Sequence, residues 1–132
     1  MNITIGQLAN ATGLTAKMIR YYEANHIVPE PLRTAADYRT YNNDDVRTYT
    51  FIAHARELGF SLRQIKQLVE LRANPKRASR EVKELADQQL QKVQQQIEQL
   101  QILAIELNQL IEQCPGDQSP SCPIINKLNK LA

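Results

Sequence analysis

The chain has 132 residues, a net charge of +2 and only two cysteines. That is one modest domain, or a small domain with an extended arm. It is too few cysteines for a disulfide scaffold. No apolar run approaches membrane-spanning length and nothing near the N-terminus reads as a signal peptide, so the expected compartment is the cytoplasm, with no membrane partner. No nucleophile–base pair, phosphate loop or enclosed acid pair is present, so an enzyme is not expected.

The charge is modest but uneven. Residues 1–72 carry nine Lys/Arg against seven Asp/Glu, whereas residues 73–132 carry seven of each. The basic groups of the first half cluster near turn signals and early helix turns, where a nucleic-acid-facing surface can be built.

Thr4 with Gln7 three residues on reads as a capping box, followed by a short apolar face of Ile5, Leu8 and Ala9. Gly13 punctuates it, and Thr15 caps a second helix through Glu23. Two short helices joined at Gly13-Leu14 are a helix-turn-helix signature. Asn25-His26 ends the second helix, with Asn25 the expected left-handed residue. Pro29 and Pro31 then exclude helix, and residues 27–41 have room for two short strands forming a wing. Residues 42–45 open a third helix, which Gly59 stops. Ser61 caps a fourth, which Asn74-Pro75 ends.

From Ser79 to about Gln113 the pattern changes. Val82, Ala86, Leu90, Val93, Ile97, Leu100, Ala104, Leu107 and Ile111 step by four and three, a heptad seam without internal Gly or Pro. Ser79 is the expected cap. Such a helix is about 50 Å long, and the rest of the chain is too short to cover its stripe. A partner helix from a second copy is the economical solution, hence a homodimer. The fold expected is mainly α. It comprises a winged helix-turn-helix domain (1–75), a long coiled-coil dimerisation helix (76–113) whose partner runs antiparallel or parallel, and a C-terminal cysteine loop with its following segment (114–132).

Two groups of residues carry chemistry. In the second helix Lys17, Arg20 and Tyr21 share a face. Arg can bond guanine bidentately, Lys a phosphate or guanine, and the Tyr hydroxyl a phosphate oxygen. In the wing, Arg33, Tyr38, Arg39 and Tyr41 interleave bases and aromatics, with Tyr41 expected to serve the core. In the tail, Cys114 and Cys122 bracket seven residues rich in turn formers. Two sulfurs in a compact loop can hold a soft metal ion or form a reversible disulfide, and the spacing leaves both open.

The segments Thr4-Ile5-Gly6-Gln7-Leu8-Ala9, Thr12-Gly13-Leu14-Thr15 and Ile19-Arg20-Tyr21-Tyr22-Glu23 resemble the N-terminal module of the MerR family of transcription regulators. The wing from Arg33 to Tyr41, and Ala55-Arg56-Glu57-Leu58-Gly59-Phe60-Ser61-Leu62, continue the likeness. The tail, Cys114-Pro115-Gly116-Asp117 and Cys122-Pro123-Ile124-Ile125, resembles that of the family's copper-efflux regulators. The resemblance implies DNA contacts by Lys17, Arg20 and Tyr21, by Arg33, Tyr38 and Arg39 of the wing, and by Arg56. It departs from the family at Asn25-His26, where many relatives have Gly, and at Ala36-Asp37, where they have Asn-Gly. Asp37 is expected to accept the left-handed backbone there.

The resemblance further implies Cu(I), or Ag(I) or Au(I), held by Cys114 and Cys122. Two thiolates suit a singly charged soft ion, leaving net −1, but leave zinc short of its usual four ligands. Ser79 stands where relatives that sense divalent ions have a further Cys, and Lys83, one turn on, is a candidate to offset thiolate charge. The resemblance implies an antiparallel coiled-coil dimerisation helix and a C-terminal metal-binding loop, and with them a metal-responsive dimer that binds a palindromic promoter site and activates metal-efflux and detoxification genes by distorting the DNA for RNA polymerase. The alternatives are a thiol-redox regulator and, from a different class, a metal carrier docking a protein partner.

Overall fold

The computed structural model describes residues 2–130. Six helices and one two-stranded ribbon follow in the order α1 (Ile5–Thr12), α2 (Ala16–Ala24), β1 (Leu32–Arg33), β2 (Arg39–Thr40), α3 (Asn43–Glu57), α4 (Leu62–Ala73), α5 (Ser79–Gln113) and α6 (Pro123–Leu128). The chain divides into two compact units, residues 1–89 and 90–132.

Local chemistry sets most boundaries of the first unit. Thr4, Asn42 and Ser61 each close a capping box, with Gln7, Asp45 and Gln64 as the reciprocal partners. Each box satisfies two backbone donors that the first helical turn would leave unpaired. Thr15 caps α2 by accepting the Met18 amide at 3.1 Å. Gly13 ends α1 in the left-handed region at φ 77°.

The C-terminus of α2 corrects one expectation. Asn25 has φ −93°, and His26 takes the left-handed conformation at φ 59°. The bonding explains why. The Ile27 amide reaches back to the Tyr22 carbonyl and the His26 amide to the Glu23 carbonyl, both at 3.1 Å. This Schellman pattern puts the positive φ one residue after the cap. Ile27 and Tyr22 are both buried, the apolar contact that accompanies the motif. The same pattern recurs at the end of α3, where the Phe60 amide bonds the Ala55 carbonyl and Gly59 has φ 84°.

The core of this unit is one cluster. Leu8, Leu14, Ile19, Tyr22, Ile27, Tyr41, Tyr49, Ile52, Ile65 and Leu68 are among its buried members, with Val82 and Leu85 of α5 packed partly against it. α1 packs on α2 and α3, and α4 on α3. Tyr41 is 2 % exposed, the core role expected of it. Its ring meets Tyr49 edge to face at 6.2 Å between centroids, and burial pushes both phenols well above their ordinary range.

α5 is an unbroken helix of 35 residues. Ser79 is its first residue, not the residue before it, because the first turn closes on Ala78: the Glu81 amide bonds the Ala78 carbonyl at 3.1 Å. Within the second unit most of the seam is uncovered, with Val93 half-buried. Leu90, Ile97, Leu100, Leu107 and Ile111 are all about half exposed or more. α6 was not anticipated by periodicity. It begins with Pro at its first position, a place where the missing N–H is no loss. Lys127 of α6 pairs with Glu106 of α5.

Candidate nucleic-acid interface and thiol loop

Lys17, Arg20 and Tyr21 are exposed on α2, while Ile19 and Tyr22 turn into the core. Amphipathicity alone therefore presents the polar face of this helix to solvent. Arg56 is exposed in the last turn of α3. Its charge acts on the Tyr22 phenol, whose pKa is raised by burial and partly lowered again by Arg56.

The wing is an antiparallel ribbon with Leu32 opposite Thr40 and Arg33 opposite Arg39. Its tip is tied by the Thr34 amide on the Tyr38 carbonyl at 2.8 Å and the Asp37 amide on the Thr34 carbonyl at 2.9 Å. Asp37 takes φ 67°, the left-handed backbone expected of it. Arg33 folds toward the tip, donating from Nη1 to the Asp37 carbonyl at 3.0 Å. Tyr38 is 72 % exposed.

Arg39 behaves differently from the other basic residues. Its Nε donates to Glu23 Oε1 at 3.0 Å, and Tyr41 Oη donates to Glu23 Oε2 at 2.6 Å. Glu23 is 7 % exposed. Lys17, Arg20, Tyr21, Arg33, Tyr38 and Arg56 thus face solvent, whereas Arg39 is engaged inward. Glu23 escaped sequence reasoning because an acid in a polar helix reads as surface; its partners lie 16 and 18 residues away.

Cys114 follows the last residue of α5, its amide shared between the Leu110 and Ile111 carbonyls at 3.2 Å each. Gly116 turns the chain at φ 68°. The Asp117 carboxylate accepts the Ser119 amide at 2.8 Å and the Ser119 hydroxyl accepts the Ser121 amide at 3.2 Å. These turns return the chain to Cys122, the cap residue of α6. The two sulfurs stand 3.9 Å apart, both free and half-buried.

The backbone amide of Ile125 holds the Cys122 thiol below its ordinary pKa, with help from the Ile124 amide and from Cys114, against an opposing effect of burial. Sγ makes no side-chain cap hydrogen bond; the amides of the first helical turn act as an electropositive end. Among the described residues no group of three or more His, Cys, Asp or Glu converges on one point. The donor set of this loop is two sulfurs, which fits a soft ion of low coordination number and not a four-ligand zinc site.

A helix-turn-helix with a two-stranded wing, followed by a long helix, defines a DNA-binding regulator fold. The chain belongs to the MerR family: residues 3–71 match the MerR HTH family regulatory protein model, and residues 46–110 the model described as MerR, DNA binding. The chain is 42 % identical to a probable heavy metal-dependent transcriptional regulator of Haemophilus influenzae, over 96 % of this chain and 99 % of that one. It is 39 % identical to the HTH-type transcriptional regulator CueR of Salmonella typhimurium, over 96 % and 92 %. Among solved structures it resembles the transcription regulator PbrR691 of Ralstonia metallidurans in complex with lead(II). The TM-score there is 0.81 at 29 % identity, covering 96 % of this chain and 98 % of that chain.

Proposed function

We propose that this chain is a Cu(I)-responsive transcription regulator, with Ag(I) and Au(I) as further effectors. It acts as a homodimer on a palindromic promoter site, one helix-turn-helix per half-site. The observation that carries the reading is the pair of free sulfurs 3.9 Å apart, with no third Cys, His, Asp or Glu converging on them among the described residues. A singly charged ion shared by two thiolates leaves net −1, whereas a divalent ion leaves zero, so the loop's local field selects by charge. The relatives named for heavy-metal dependence and CueR support this assignment.

Lys17 and Arg20 read the major groove, and Tyr21, Arg33, Tyr38 and Arg56 hold the backbone. The exposed seam of α5 joins two copies antiparallel. Burying the half of each large apolar side chain that is still exposed contributes on the order of 1 kcal/mol. Metal favours a state in which the dimer bends and untwists the promoter, so that RNA polymerase engages both of its elements. This requires tighter metal binding in that state than in the resting one. Deforming DNA costs on the order of 1–6 kcal/mol, within reach of ordering one metal loop.

A redox reading rests on the same distance: closing 3.9 Å to the roughly 2.05 Å of a disulfide needs only a local shift. Metal-dependent transcription in vitro under reducing conditions separates the two. Copper and silver are expected to activate, zinc and mercury are not, and Cys114→Ser or Cys122→Ser abolishes the response with promoter binding retained. Activation by oxidant alone, or a Cys→Ser variant that still responds to copper, overturns the assignment.

A further inference from the structure

Glu23 is the only buried carboxylate among the described residues, and its location is physically expensive. It sits in the last turn of α2, where the helix dipole disfavours an acid, on a helix proposed to approach phosphates. Burying a charge is unfavourable unless partners satisfy it, and a buried ion pair is weak evidence for stability; its best-attested use is to fix register. Both partners of Glu23 come from one place, the strand β2 and the residue after it. Oε1 takes Arg39 Nε at 3.0 Å and Oε2 takes Tyr41 Oη at 2.6 Å. Tyr41 is in turn locked by two backbone bonds to Ile3, at 2.8 and 3.0 Å.

The wing needs such an anchor. Its strands are two residues each, too short to be stable as an isolated hairpin. Leu32 is 74 % exposed, so β1 contributes little burial to hold it. Arg39 pairs across the ribbon with Arg33. A continuous line therefore runs from α2 through Glu23 and Arg39 to Arg33 and the tip bearing Tyr38.

We propose that Glu23 is a positioning residue that sets the wing's register against the recognition helix, and that Arg39 acts through Glu23 instead of serving chiefly as a phosphate ligand. The proposal rests on the DNA-reading function above. Glu23 touches no DNA in it; it fixes how far the phosphates held by Arg33 and Tyr38 lie from the base edges read by Lys17 and Arg20.

The test uses the full chain and a duplex selected by the wild-type protein from random-sequence DNA. Backbone protection is read by hydroxyl-radical cleavage and base contacts by methylation interference, with thermal melts of each variant as the folding control. Glu23→Ala is expected to lose backbone protection at the wing's phosphates and keep the recognition-helix base contacts, with affinity about ten-fold weaker and the salt slope reduced by about 1 per phosphate lost. Glu23→Gln, which still accepts from Arg39, restores the wild-type footprint. Arg33→Ala, costly alone, adds nothing in the Glu23→Ala background, as expected of residues in one unit. A residue that only stabilised the fold would lower the melt without changing the ratio of wing to base protection. Should Glu23→Ala not fold, Arg39→Met carries the same expectation. A folded Glu23→Ala or Arg39→Met protein that keeps wing protection overturns the positioning role alone. A wild-type protein that selects no duplex ends the DNA reading itself.

Discussion

The side-chain amide of Gln89, on α5, donates to the Leu58 carbonyl at the end of α3 over 2.9 Å. Gln89 is 7 % exposed, and its Oε1 is buried without a hydrogen-bond partner. Beside it, a Cβ on Gly59 would lie 2.5 Å from Gln89 Nε2. This one amide closes the α3–α4 turn against α5. Gln89→Ala is expected to destabilise the chain by about 1 kcal/mol. Gly59→Ala, at φ 84°, carries left-handed strain of roughly 1–2 kcal/mol plus displacement of the amide. In the double variant the second penalty disappears, because Gln89 is no longer there to displace. Urea melts of the four proteins at one concentration measure the coupling; strict additivity would show that the Gln89 amide and Gly59 do not interact.

His26 occupies the Schellman position of α2 at φ 59°, a conformation that costs a side-chain-bearing residue about 1–2 kcal/mol. His26→Gly is expected to raise stability by up to about 1 kcal/mol, the relief of strain being partly offset by the greater entropy of the unfolded Gly chain. An Ala at the same position keeps the strain and gives no gain. Equal melting of the Gly and Ala variants would contradict this account of the turn.

Ile97 and Leu100 stand 49 % and 64 % exposed on the seam of α5. If two copies bury this seam, Leu100→Lys places a charge in it twice over, once from each chain. Sedimentation is expected to show the wild type as a dimer and the variant as a monomer at micromolar concentration, with loss of tight binding to a two-half-site duplex. A variant that stays dimeric would relocate the interface.

The Cys122 thiol is held below its ordinary pKa, chiefly by the Ile125 amide. Thiolate is the reactive form, so the midpoint of alkylation rate against pH is expected below the usual thiol value of about 8.5 in the folded chain, and at that value in urea. The folded thiol releases its proton at lower pH than the unfolded one, so stability rises with pH across the interval between the two values and the gain is lost as pH falls through the folded one. An alkylation midpoint unchanged by urea would remove the helix-end effect.

Much of the fold was legible because its determinants are local. Thr4, Thr15 and Ser61 act on amides three residues ahead, and the heptad seam repeats within a single helix. The left-handed residue after α2 is His26 and not the expected Asn25. Asn is the better left-handed former by composition, but the bonds from Ile27 to Tyr22 and from His26 to Glu23 decide the register. The network of Glu23, Arg39 and Tyr41 left no trace in spacing, since its contacts cross from a helix to a wing. For the same reason spacing alone does not reveal that Arg39 also pairs inward with Glu23. Gln89 was hidden likewise, as one glutamine among many on a polar face. At the thiol loop the sequence named the two sulfurs but gave no sign that the second begins a helix.

That arrangement has a mechanical meaning. One sulfur follows the final turn of α5 and the other heads α6, so the gap between them is also the offset between two rigid rods. Whatever bridges that gap acts as a clasp on the tail, closing a ring with the Lys127–Glu106 pair that already ties α6 to α5.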